Sequence, residues 1–122
     1  MKILSTKTHG ILDYTWAILL ILSPWIFNFV NGGAAQVIPM VIGFIVLLLA
    51  LVTNYELGVI KWLPMKTHLI MDMAVGFFLA ISPWLFRFDD IVYLPHVIFG
   101  LFAITAGILT KRSTSISHAL FG

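Results

Sequence analysis

The chain has 122 residues, 61% of them hydrophobic and only 10% charged, with a formal net charge of +2 and no cysteine. A mean hydropathy of +1.06 excludes an ordinary soluble domain, which carries about 25% charged residues. The missing cysteines exclude disulfides and thiolate chemistry, and seven basic residues scattered at segment ends without a basic stripe exclude a nucleic-acid surface.

So short a chain cannot hide long apolar runs in a soluble core of its own, whereas a bilayer surrounds them directly. Four runs follow one another, at about 8–29, 35–53, 67–87 and 91–110, each near the ~20 residues a helix needs to cross hydrocarbon. Helices are required, because backbone polar groups in lipid must be satisfied within the segment. A barrel wall would instead alternate polar and apolar residues. The expected fold is all-α: one polytopic membrane domain over 1–122 with four transmembrane helices. The first run follows Lys2 like a signal peptide, but Asp13 interrupts it and no small-residue cleavage site follows, so it is expected to be retained as helix one.

In that first run, KTHGILDYTWAILLILSPWIFNF at 7–29 returns as KTHLIMDMAVGFFLAISPWLFRF at 66–88, with eleven of 23 positions identical at an ungapped offset of 59. Asn31-Gly32-Gly33 and Arg87-Phe88-Asp89-Asp90 mark short turns inside each repeat. Each repeat is thus a helical hairpin, about 7–54 and 66–111, and the longer connection between them is the repeat boundary. With two spans apiece, both copies enter the membrane in one direction, as parallel repeats about an axis along the membrane normal. The second helices match at an offset of 57, pairing Gly43 with Gly100, Ala50 with Gly107 and Thr53 with Thr110. Gly100, Ala103 and Gly107 form a small-residue stripe suited to close helix packing.

Lys2, Lys7, Lys61, Lys66, Lys111 and Arg112 fall on the face holding both termini and only Arg87 on the other, so both termini are expected in the cytoplasm.

Two groups of residues stand out chemically. His9 and Asp13, like His68 and Asp72, lie four apart on one helical face, and that face continues to the small residues Ala17 and Gly76. The pairs should therefore point into the bundle, each His satisfying the Asp of its own helix, with Thr8 and Thr67 capping the two helices. As a functional alternative, two histidines and two carboxylates suffice for a divalent metal, an ion path or a proton relay at the cytoplasmic side. Haem ligation by His9 and His68 ranks below that, because the adjacent Asp competes for each imidazole. Enzymatic catalysis ranks last, since no nucleophile, base and orienter are arranged together. In Ser23-Pro24-Trp25 and Ser82-Pro83-Trp84 the proline should bend or end its helix, the serine should bond a carbonyl freed by that break, and the tryptophan should sit in the outer aromatic belt. His96, beside Pro95, and His118 read as surface histidines.

These paired HxxxD and SPW elements, at His9, Asp13, Ser23, Pro24 and Trp25 and again at His68, Asp72, Ser82, Pro83 and Trp84, resemble the SPW-repeat family of small bacterial integral membrane proteins. The resemblance implies two two-helix repeats in the bacterial cytoplasmic (inner) membrane and brings no activity or cofactor with it. The expected role is a structural or accessory module whose partners are the lipid bilayer and a second copy or another membrane protein.

Overall fold

The computed structural model describes residues 2–114, so His118 lies outside the described residues. The chain folds as α1 (Thr6–Ile26), α2 (Ala34–Leu51), the two-residue strands β1 (Thr53–Asn54) and β2 (Leu63–Pro64), α3 (Met65–Leu85) and α4 (Leu94–Leu109). Three of the helices are long and apolar enough to cross a membrane, and α4 is a shorter apolar helix of 16 residues. The protein is a small, essentially all-helical polytopic membrane protein. α4 is shorter than its apolar run, because Pro95 sits in its first turn, where a missing N–H costs nothing, and the extended backbone of Thr110 stops it.

The helix starts differ from expectation. Ser5, not Thr8, caps α1 by accepting the Thr8 N–H, and α3 begins behind Pro64 with no side-chain cap. The ends of α1 and α3 follow the motif. Pro24 and Pro83 have no N–H to give to the carbonyls four residues back, those of Leu20 and Leu79. Ser23 Oγ and Ser82 Oγ each donate to that carbonyl, both at 2.7 Å. Each helix then stops two residues beyond its proline. Asn28 and Arg87 turn left-handed (φ 57° and 58°), and the N–H groups of Phe29 and Phe88 reach back to the carbonyls of Pro24 and Pro83, at 2.8 Å each. This six-to-one closure satisfies carbonyls that the helix end leaves open. Trp25 and Trp84 stay exposed, as interfacial anchors do.

Inside each hairpin the helices meet nearly backbone to backbone. A Cβ on Gly43 would lie 2.8 Å from the Ala17 carbonyl oxygen, and one on Gly100 would lie 2.4 Å from that of Gly76. Trp16, Ala17, Leu20, Ile42, Val46, Leu79 and Ala103 fill the space between the hairpins. Large apolar side chains such as Phe44, Leu48, Phe77 and Ile98 point outward, where lipid replaces a protein partner.

The hairpins are also tied through their ends. The chain entering α3 pairs in parallel with the chain leaving α2, Leu63 beside Thr53. The chain entering α1 pairs the same way with the chain leaving α4, Leu4 beside Thr110. Leu4 and Leu63 are 59 apart, Thr53 and Thr110 are 57 apart, and so the two junctions are equivalent.

Candidate functional site

His9, Asp13, His68 and Asp72 come together at the end of the bundle that carries the connection between the repeats, all four buried. α1 brings the first pair one to two turns after its start, and α3 brings the second at equivalent positions. The small residues one turn further on, Ala17 and Gly76, keep each hairpin tight at this level.

The pairing is crossed. His9 Nε2 lies 2.9 Å from Asp72 Oδ2 and 3.1 Å from Asp13 Oδ2, while His68 Nε2 lies 2.6 Å from Asp13 Oδ2 and 3.0 Å from Asp72 Oδ2. Each His therefore lies within reach of the Asp of its own helix, as expected, but the shorter contact of each imidazole runs to the other helix. An i, i+4 spacing sets which face a pair shares but not which partner across the bundle lies nearer. The imidazoles meet edge to face with centroids 5.8 Å apart. Carboxylate oxygens bridge their Nε2 atoms on both sides, where a porphyrin would have to lie, so the arrangement does not suit haem.

Thr53 and Thr110 complete the site, although sequence reasoning recorded them only as a matched pair. Thr110 Oγ1 lies 2.8 Å from His9 Nδ1 and Thr53 Oγ1 lies 2.7 Å from His68 Nδ1. Each hydroxyl already donates its single hydrogen to a helix carbonyl, Thr110 to Ala106 and Thr53 to Leu49. Each must therefore accept from the imidazole, which puts a hydrogen on both Nδ1 atoms and turns both Nε2 atoms toward the carboxylates. The four Nε2–Oδ2 contacts are neutral as a set when they share two further hydrogens. With two carboxylates and two imidazoles the total charge is then zero, whichever atom carries each hydrogen, which is the condition for keeping four ionisable groups out of water.

The surroundings are less symmetric than the quartet. The connection after α2 folds Tyr55 over Gly10, where a Cβ would lie 2.4 Å from the tyrosine ring. Thr6 Oγ1 donates to Glu56 (2.7 Å), and Lys61 Nζ donates to the Tyr55 carbonyl (2.6 Å). Tyr55 is fully buried, and burial pushes its phenol well above the usual value. Its hydroxyl and Asp72 Oδ1 are buried without a hydrogen-bond partner among the described residues. The Asp13 side chain is 11% exposed, against 3% or less for the other three, so the quartet meets its surroundings on that side.

The opposite end holds a buried histidine besides the two motif serines. His96 is 1% exposed, not a surface residue as expected. It lies between the equivalent rings of Phe29 and Phe88, with centroids at 5.1 and 4.9 Å, and donates through Nε2 to the Ala35 carbonyl at 2.8 Å.

The SPW repeat domain model matches residues 7–110, spanning both hairpins and all four members of the quartet. The chain belongs to the SPW repeat family. No curated protein and no solved structure matches it. Within this SPW repeat protein both Ser-Pro-Trp motifs close helices at the end remote from the His/Asp quartet.

Proposed function

We propose that this SPW repeat protein is a structural module of the bacterial cytoplasmic membrane, with both termini in the cytoplasm, in which the His/Asp quartet clasps the two hairpins at the cytoplasmic end. The observation that carries this reading is the crossed pairing, His9 to Asp72 and His68 to Asp13, which joins α1 to α3 and hence one repeat to the other. The outward apolar faces are open to lipid and to a second copy or another membrane protein.

A neutral, hydrogen-bonded quartet stabilises the bundle only while complete, since removing partners leaves buried polar groups unsatisfied at about 3–5 kcal/mol for a broken buried pair. Asp13→Asn with Asp72→Asn should therefore lower the melting temperature in detergent sharply while the helix content of the folded form is kept. A double variant melting with the wild type would remove the clasp from consideration. A second reading, an ion site, is favoured by a different observation, the unpartnered Asp72 Oδ1.

A further inference from the structure

We propose that the quartet is a coordination site for one divalent transition-metal ion of the zinc class, held by His9 Nε2, His68 Nε2 and one carboxylate oxygen each from Asp13 and Asp72. The proposal rests on the quartet joining the repeats as described above. The four candidate ligand atoms lie within 4.8 Å of one another, and the four Nε2–Oδ2 separations run from 2.6 to 3.1 Å. A tetrahedral ion about 2.0–2.1 Å from every ligand keeps them roughly 3.3 Å apart. The four Nε2–Oδ2 edges would open by about 0.2–0.7 Å to reach that spacing, and the ligand atoms across the quartet already lie within 4.8 Å of one another.

Three further features fit a metal. The histidines are oriented as ligands: each Nδ1–H is given to a threonine hydroxyl, the outer-shell arrangement that fixes a ligating imidazole with its Nε2 lone pair inward. The charges balance, because an ion of charge +2 neutralises the two carboxylates and takes the place of the two hydrogens that would make the free quartet neutral, both leaving as protons. Asp72 Oδ1, buried and without a hydrogen-bond partner among the described residues, is an acceptor that the hydrogen-bonded quartet leaves unused and that is available as the single ligand oxygen of Asp72. Two imidazoles with two carboxylates suit zinc and neighbouring first-row ions over calcium or magnesium, whose sites are built of oxygen alone. Four protein ligands also leave no open position for substrate, which marks a binding site and not a hydrolytic centre. The exposed edge of Asp13 is where an ion would reach it.

The full-length protein in detergent, stripped with a chelator and re-equilibrated with Zn2+ alone, should retain one ion per chain by elemental analysis. X-ray absorption at the zinc edge should then show two imidazoles and carboxylate oxygen at about 2.0–2.1 Å, a readout that needs no variant to fold. Thr53→Val with Thr110→Val, which leaves the four ligands in place, should weaken Zn2+ binding about 10–100-fold. A wild type that retains no ion, or a zinc shell without two imidazoles, overturns the site. If the ion is absent while the Asp13→Asn, Asp72→Asn protein still melts early, the site fails and the clasp stands. If one ion is bound while that variant melts with the stripped wild type, the clasp fails and the site stands.

Discussion

At the scale of single residues, the serine of each Ser-Pro-Trp motif answers a deficit created by its neighbour. Proline removes the donor that would have reached Leu20 or Leu79, and the serine hydroxyl supplies another at 2.7 Å. Ser23→Ala with Ser82→Ala should leave both carbonyls unpaired in a buried setting, at about 1–3 kcal/mol each. Thermal melting of the detergent-solubilised protein would register this, whereas Trp25→Phe, at an exposed position, should change it far less. A serine double variant as stable as the wild type would mean that the freed carbonyls find another donor. This much was legible in the sequence, because proline's missing hydrogen bond is a local fact. His96 was not legible. Its burial comes from Phe29 and Phe88, which lie in different repeats, and no local pattern around Pro95 announces them. Thr53 and Thr110 were visible as a match at offset 57, yet their place beside the histidines depends on which chain end pairs with which.

Between elements, closeness is set by glycine. Gly100 faces the Gly76 carbonyl and the backbone nitrogen and Cβ of Ala80, none of which is the movable end of a flexible side chain. Gly100→Ala should therefore push α4 from α3 and destabilise the protein by about 1–3 kcal/mol, the usual cost of overpacking. Gly32→Ala is a useful contrast: a Cβ there meets nothing within 4 Å, and the cost comes only from its positive φ of 73°. Urea or thermal unfolding of the two variants separates backbone strain from lost approach, and equal stability of Gly100→Ala and the wild type would argue against close α3–α4 contact. The small-residue stripe in α4 was readable from its spacing and lies where it should, against α3. The α1–α3 crossing was not, because the His/Asp spacing is equally satisfied by contacts within one helix or between two.

Over the whole molecule, one end differs chemically from the other. The quartet, the strand-like junctions and six of the seven basic residues gather at the end that carries the connection, while the Ser-Pro-Trp closures and Arg87 occupy the opposite end. Several of the basic side chains serve the structure as well as the charge balance. Lys2 Nζ donates to the Ile108 carbonyl at 3.1 Å, and Arg112 donates to those of Gly107 and Thr110 at 2.8 and 3.0 Å. These cations therefore sit at the C-terminal end of α4, where the helix dipole favours positive charge. Local stabilisation does not account for Lys7 and Lys66, exposed in the first turns of α1 and α3, where that dipole disfavours a cation. Lysine at both of those positions fits the cytoplasmic orientation proposed above, as the positive-inside rule would have it. Reporter fusions at Gly122 and Gly32 should accordingly score on opposite sides of the membrane, the first cytoplasmic and the second external. Moving charge should test the cause: Lys7→Gln with Lys66→Gln, combined with basic residues inserted beside Gly32, should reduce the share of molecules with a cytoplasmic Gly122. A Gly122 reporter that is external in the unaltered protein, or on the same side as Gly32, would refute the orientation and put the quartet at the outer face.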